Sequence, residues 1–484
     1  MNPSTTKSFK KITLFLVSIV VKMSSTIMMG FSVPRLLGVV QFGYFRLFSL
    51  FTVYTSLLHF GLIDGFLLSN RSTTPSSNPT PKLKTVALGL LWLEGCFASI
   101  GILASILFLK AELQSIVAMV FLNLLVQNFI SLYQTVAQTR GMSQKVSQGS
   151  LFLSFINILI VGAVFLFKIR DFLYVTILVV IANYWVFFWY FWCFRRLLFE
   201  SPSTKTTPFI AIKTLTQKGF WYLVAYIVPT MIVVFNNHLV WFLFPVEDFS
   251  IYAFSVNMTI FATIACANLA KITDDFYPKL TKAEQIASYD LLNGAVIFLV
   301  LIGISAYFLL QWTTPTFLPD YIASIPLFRI VLGLLLFSCP LGVVTHAYFK
   351  LAGKNARFIQ IGSGMLVLSL GLNFLVFQLD GSLMAFATSL FASFLIFYVI
   401  TQVYLIVRLK IPWLRSDGFL LLGGGIYLYI SEMENYALGA FLYLFSILLL
   451  FGLFYGRDWK KGIRLYRLFM DFSPSDKSKK EVAS

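Results

Sequence analysis

Fourteen apolar runs, separated by short polar segments, constrain this chain more than any other feature. They cover 12–33, 42–69, 85–109, 115–138, 148–167, 172–194, 220–244, 249–270, 289–311, 324–348, 358–378, 382–406, 418–431 and 437–456. A helix needs about 20 apolar residues to cross a hydrocarbon layer ~30 Å thick. In lipid every backbone polar group must be paired internally, which leaves helices or a closed barrel. Runs of this length specify helices. The expected fold is an all-α integral membrane protein of about 14 transmembrane helices. Composition agrees: 58% of the 484 residues are hydrophobic and 12% charged, against about 45–50% and about 25% in soluble domains. The first run has no small-residue cleavage site after it, so it reads as a span rather than a leader. The thirteenth run is the weakest. It has 14 residues, with glycines at 423, 424 and 425, and covers only about 21 Å at 1.5 Å per residue.

The basic residues give the orientation. With the N-terminus inside, the outer loops hold only Arg35, Lys110, Lys168 and Arg170, and the spans hold Lys22, Arg46 and Arg329. The other 30 of the 37 Lys and Arg lie in inner segments, eight of them after residue 456. This is a strong positive-inside pattern. It argues for keeping the thirteenth span, since omitting it would place the eight-charge tail outside. Both termini are therefore expected in the cytoplasm. The net charge of +17 is spread through the gaps between spans, which argues against a nucleic-acid partner. The loops are short; the segment around 70–84 is Pro/Ser/Thr-rich and reads as flexible.

A faint repeat runs through the chain. Val39-Val40-Gln41-Phe42-Gly43-Tyr44 parallels Val246-Glu247-Asp248-Phe249-Ser250-Ile251-Tyr252, and Gly141 and Lys145 parallel Gly353 and Arg357. The offsets, 207 and 212, agree closely. They suggest two six-helix lobes around a central cavity, at 1–210 and 211–410, with two further helices at 411–456 and a basic tail at 457–484. An even-numbered repeat keeps its orientation in the membrane, as in transporters built from parallel repeats.

Enzyme signatures are missing from the sequence. It has no P-loop and no HExxH, and its three histidines, His59, His238 and His346, lie in different spans. No metal site, catalytic residue or cofactor is expected. Cys96, Cys193, Cys266 and Cys339 sit in separate runs and read as small buried residues.

Polar residues at bilayer depth carry more information, because a charge there costs at least about 2.5–3.5 kcal/mol and usually faces a cavity or a partner. Lys22 lies mid-way along the first span, on a helical face with Ser18, Ser25, Thr26 and Met29. It reads as an anion-binding cation, or as the partner of a carboxylate such as Glu94. Arg46 and Arg329 lie near outer ends of spans and read as head-group contacts or as snorkelling side chains. Asn123, Gln127, Ser131, Gln134 and Gln138 form a polar stripe along the fourth span. Their groups suit sugar hydroxyls, or hydrogen bonds between helices. Span seven carries Tyr226, Thr230 and Asn237 on one face, with Pro229 between them. Asn257, Asn268 and Asn373 add polarity in the second half. Glu94, isolated in span three, is a candidate proton or sodium site or the counter-ion of Lys22; Asp64, near the inner end of span two, is a second coupling candidate.

Several short motifs bear a resemblance. Pro34-Arg35-Leu36-Leu37-Gly38, Phe42-Gly43-Tyr44 and Phe60-Gly61-Leu62 resemble the N-terminal pattern of polysaccharide exporters. Phe249-Ser250-Ile251-Tyr252-Ala253, Tyr277-Pro278-Lys279-Leu280, Pro319-Asp320-Tyr321, Ala352-Gly353-Lys354 and Asn373 resemble the second-lobe pattern. Over about residues 10–410 the chain resembles the O-antigen and capsule flippases of the multidrug/oligosaccharidyl-lipid/polysaccharide exporter superfamily. The resemblance implies flipping of an undecaprenyl-diphosphate-linked oligosaccharide across a bacterial inner membrane, by alternating access around a cationic cavity. Polysaccharide polymerase or assembly proteins are candidate partners, and a proton or sodium gradient is the candidate driving force that Glu94 suggests. Many relatives carry an acid near the middle of span seven, where this chain has Asn236, Asn237 and His238. An ion-coupled multidrug-type antiporter of the same superfamily is the main alternative, and a membrane glycan polymerase a weaker one.

Overall fold

The computed structural model describes residues 3–71, 83–199, 208–277, 280–409, 411 and 415–458. The centre of the Pro/Ser/Thr-rich loop, residues 200–207, Pro278, Lys279 and the basic tail beyond 458 lie outside the described residues. Among the described residues the secondary structure is helical, without strands. Eleven helical stretches are long and apolar enough to cross a membrane.

Fourteen spans and eleven stretches are reconciled by three local features. Helix α1, Pro3–Thr55, runs through the first two apolar runs and is interrupted only at Gly38, with φ 75° and ψ 174°. A side chain there would be strained, so one glycine makes the break where a turn over 34–41 is expected. The eighth span is split into α8, Val246–Asn257, and α9, Ile260–Phe276. The thirteenth is α17, Arg415–Ile430, whose 16 residues fall short of a full crossing.

The chain forms two compact units, one of Lys10–Ser250 and one of Ile251 onward together with the residues before Lys10. The first contains α1, α2 (Leu62–Arg71), α3 (Leu83–Phe108), α4 (Ala111–Thr139), α5 (Ser143–Leu166), α6 (Phe172–Phe199), α7 (Pro208–Leu243) and the start of α8. The lobes expected from the repeat divide at 210. The compact units divide at Ser250, because α7 packs along α2 and against α3. The α4–α6 contact is aromatic. Tyr133 stacks on Phe194 with centroids 5.7 Å apart and planes 5° from parallel, above a floor of Leu90, Leu132 and Val136. Outside this core the pattern inverts. Leu103, Phe108, Leu166 and Trp192 are exposed, as expected of residues solvated by acyl chains rather than water.

The tightest helix crossing is that of α2 and α7. A Cβ on Gly219 would lie 1.9 Å from the carbonyl oxygen of Gly61, and one on Gly65 would lie 1.9 Å from that of Leu215. Backbones approach this closely in membranes only where side chains are absent.

The second unit contains the rest of α8, α9, α10 (Lys282–Ile304), α11 (Ala306–Phe317), α12 (Ile325–Gly333), α13 (Leu335–Pro340), α14 (His346–Leu351), α15 (Asn355–Leu379), α16 (Leu383–Leu409), α17 and α18 (Tyr436–Tyr455). Span ten, which includes α12, α13, a π turn at Leu341–Thr345 and α14, is the most enclosed, and α18 the least. A polar seam holds the short α17 in place. Asn293 Nδ2 donates to Tyr398 Oη at 3.1 Å and to Ser416 Oγ at 3.0 Å, Tyr398 donates to Asp417 at 2.8 Å, and the Ser416 N–H donates to Asp290 at 2.9 Å. Gly423 lets Leu301 approach, since a Cβ there would meet its Cδ1 at 2.6 Å. A 16-residue helix is thus kept at membrane depth by side-chain hydrogen bonds and close packing rather than by its own length. Of the cysteines, Cys96 is exposed and only Cys339 is fully buried. Cys96 departs from the expected burial, lying on the same exposed face of α3 as Trp92 and Ile100.

The Gly219→Ala substitution should destabilise the protein by at least about 1–3 kcal/mol, because backbone rather than a movable side chain blocks the new methyl. Gly162→Ala, with nothing within 4 Å of the new Cβ, should be neutral or slightly stabilising. Thermal melts followed by size-exclusion chromatography in detergent check the pair.

Candidate functional site

Polar groups of the first unit lie on the two arms of α1 and on α3, α4 and α7. Lys22 stands eleven residues, about 16 Å, from the end of the first apolar run at Val33. It is exposed, while Ser18 and Ser25 of the same expected face are buried. Ser25 Oγ donates to the Lys22 carbonyl at 3.0 Å and Thr26 Oγ1 donates to it at 2.8 Å. These hydroxyls are engaged with backbone. An exposed ammonium at that depth requires a water-filled cavity or an anionic neighbour. On the second arm, Arg46 is half-buried and its Nε is enclosed without a hydrogen-bond partner.

The stripe on α4 divides in two. Asn123 is buried, and its Oδ1 accepts from Asn183 Nδ2 of α6 at 2.9 Å. The Tyr184 hydroxyl donates to the Leu122 carbonyl at 3.1 Å. This end of the stripe joins two helices. Gln127, Ser131 and Gln134 remain half-buried, and Ser131 Oγ donates to the Gln127 carbonyl at 3.2 Å. On α7, Tyr226 and Thr230 are exposed and Asn237 is buried, with its Nδ2 donating to the Val233 carbonyl at 2.8 Å. The face expected to be uniform is therefore open at one end and covered at the other, where His238 packs between Phe51, Tyr54 and Trp241. In the second unit Arg329 donates to Glu432 at 3.0 Å, an ion pair at the α12–α17 contact.

Around the second span the structure joins residues that the sequence leaves separate. α1 ends at Thr55 and α2 begins at Leu62, so the run expected to be one helix is broken by six residues. Phe60 and Gly61 take the left-handed region, with φ of 48° and 80°. Asn128 Nδ2 reaches from α4 to the orphaned Thr55 carbonyl at 3.1 Å, and His59 Nδ1 accepts from the Gly61 N–H at 3.1 Å. Asp64 Oδ2 lies 4.0 Å from His59 Nδ1. Glu94 is completely buried, and neither of its oxygens has a hydrogen-bond partner. Asn128 and His59 were not singled out by sequence reasoning. The available signal was the Phe60-Gly61 pair inside an apolar run, since glycine there marks a break. Among the described residues no three His, Cys, Asp or Glu side chains gather as metal ligands do.

No family model matches the sequence, and no curated protein does. The structure finds relatives. A structure of the lipid II flippase MurJ in an inward closed conformation matches with a TM-score of 0.67 and 12% identity, over 93% of this chain and 99% of that one. A MOP superfamily transporter from Pyrococcus furiosus matches with a TM-score of 0.51 and 12% identity, over 83% of this chain and 96% of that one. The chain shares its fold with these two structures. At this identity the likeness is one of architecture, and it supports a multi-pass membrane protein with about 14 helices.

The Asn123–Asn183 pair should behave as a helix–helix contact. A double-mutant cycle with Leu at each position should give a coupling of about 0.6–1.7 kcal/mol, the range for such bonds in membranes. Melting of the four variants measures it.

Proposed function

We propose that this protein is a flippase, a transporter rather than an enzyme, that carries a lipid-linked oligosaccharide diphosphate across the bacterial inner membrane by alternating access. The observation that carries the reading is the Arg46 guanidinium, half-buried in a MOP fold with its Nε unpaired. A half-buried guanidinium with an unpaired nitrogen suits an anionic ligand, since attraction is far stronger in a low-dielectric cavity than in water. Lys22, exposed at bilayer depth, is the second cation. Gln127, Ser131 and Gln134 offer the donors and acceptors that sugar hydroxyls require, and Ser25 and Asn237 are secondary candidates. Asn123 and Arg329 have partners within the protein, which leaves them less free to bind. The lipid tail needs no polar partner and stays among the exposed apolar side chains.

The MurJ structure belongs to a protein named for a lipid-linked substrate, which supports that substrate class here. Surface polysaccharide assembly, as O-antigen or capsule, is the corresponding process, with a polymerase as the downstream partner. Both termini are assigned to the cytoplasm on the distribution of basic residues. The lobes rocking against each other are assigned to 1–210 and 211–410, with 411–456 as an appendix. An antiporter of organic cations would need an acidic cavity, and the cationic pair argues against it.

Cells lacking the gene should accumulate an undecaprenyl-diphosphate-linked glycan on the inner leaflet, and restoration should clear it. Lys22→Ala and Arg46→Ala should each remove one charge-assisted contact of about 1.5–3 kcal/mol, roughly ten- to hundredfold in head-group binding. Leaflet-resolved analysis of the lipid-linked pool measures both. Unchanged export in both variants would remove the cationic site from the proposal.

A further inference from the structure

We propose that the start of α5 and the end of α6, which lie together, bind an anionic phospholipid. Lys145 and Arg195 are the cations for its head group, and an exposed aromatic stripe on α6 is the bed for its acyl chain. The inference goes beyond the transport reading and holds whatever the cargo is.

The two faces of α6 are the first observation. Val186, Tyr190 and Phe194 are buried and belong to the core around Tyr133 of α4. Ile181, Trp185, Phe188 and Trp192 are exposed. Their alternating steps of four and three residues place them on one helical stripe, and the next step of that stripe is Arg195. From Phe172 to Arg195 the helix rises about 35 Å, slightly more than a hydrocarbon core of ~30 Å. The stripe therefore runs along acyl chains, and Arg195 reaches the head-group layer, where tryptophan also collects.

The second observation is how the cations are seated. The Arg195 guanidinium lies over the Trp192 ring, 3.6 Å from its centroid. Lys145, in the first turn of α5, has its Nζ 5.7 Å from the centroid of the Trp189 ring. Trp189 is itself held between Tyr190 at 4.8 Å and Phe152 of α5 at 6.4 Å. Trp189 and Trp192 are one turn apart, so a cation from each helix is seated on neighbouring rings. A ring face attracts a cation but accepts none of the strong hydrogen bonds that an ammonium or a guanidinium can donate. Arg196, exposed beside them, adds a third positive charge.

Charge balance is the third. Among the described residues no ion pair joins Lys145, Arg195 or Arg196 to a carboxylate; Glu200, four residues beyond Arg196, lies outside the described residues. Arg415 makes the contrast. It also lies over a ring, that of Tyr455 at 5.4 Å, but it is paired with Asp290 at 3.2 Å. The end of α6 thus presents seated cations at the head of an apolar stripe. The complementary ligand is apolar along its length and negative at one end. A phospholipid of net negative charge has that form. A zwitterionic lipid brings an ammonium of its own, which the three cations repel. A soluble anion has nothing to lay along the stripe.

The test uses the full-length protein in detergent, with phosphatidylglycerol, phosphatidylcholine and inorganic phosphate as probes, and counts retained lipid by native mass spectrometry. The wild type should retain phosphatidylglycerol at concentrations where phosphatidylcholine is lost. Lys145→Gln and Arg195→Gln should each raise the half-saturating phosphatidylglycerol concentration about fivefold, the effect of one cation at a membrane surface, and together about 25-fold. Arg408→Gln, which removes a cation from the end of α16, should leave it unchanged. Equal retention of the two lipids by the wild type overturns the proposal, and that comparison needs no variant. A double variant that binds phosphatidylglycerol as the wild type does overturns it too. So does an equal loss in Arg408→Gln, which would reduce the site to diffuse surface charge. Displacement of phosphatidylglycerol by inorganic phosphate at matched ionic strength overturns it in favour of a free-anion site. Phosphatidylglycerol carries neither a diphosphate nor a glycan, so the two readings fail separately. Unchanged export in the Lys22 and Arg46 variants leaves the lipid site standing, and loss of lipid selectivity leaves the flippase reading standing.

Discussion

Backbone polar groups have no partner in hydrocarbon, and this constraint governs every departure from regular helix in the protein. A break must be closed by side chains or buried against protein. At Thr55 the closing group is the amide of Asn128, at Gly61 it is the ring of His59, and in span ten the π turn at Leu341–Thr345 places the Thr345 hydroxyl 3.1 Å from Tyr289. Each repair brings a polar side chain to a depth where it would otherwise be costly. In the first unit Asn128 and His59 sit at these repairs, with Asp64 4.0 Å from the His59 ring.

Glycine does complementary work. At Gly38 it permits a backbone conformation that joins two spans with one residue. At Gly61, Gly65 and Gly219 it permits contact between backbones, and this contact draws α7 into the first compact unit. The short α17 depends on both devices. Glycines let neighbouring side chains approach, and Asn293, Tyr398 and Asp290 hold it by hydrogen bonds. Removing the packing would leave a segment too short to stay in place by hydropathy alone.

Electrostatics divides the molecule differently. Arg329 donates from Nη1 to Glu432 while its Nε is enclosed without a partner; Arg46 likewise has an enclosed Nε without a partner, and Glu94 has two such oxygens. Enclosed groups of both signs without a hydrogen-bond partner thus occur in the first unit, on the second arm of α1 and on α3. The Asn123–Asn183 bond shows how an identical side-chain type on the same stripe is absorbed into packing instead.

The sequence by itself determined the helical class and a count of about 14 spans. Those properties follow from run length and charge, which are local and additive. Lys22, Arg46 and Glu94 were legible for the same reason, since any charge inside an apolar run stands out. Only the tertiary structure decided which polar residues face one another. Asn123 and Asn128 are five residues apart on one helix, yet one bonds α6 and the other caps a broken helix. The unit boundary at Ser250 and the role of His59 were equally hidden. Such outcomes depend on which helix lies alongside and at what height, and a periodicity of 3.6 residues fixes a face without naming the neighbour that covers it.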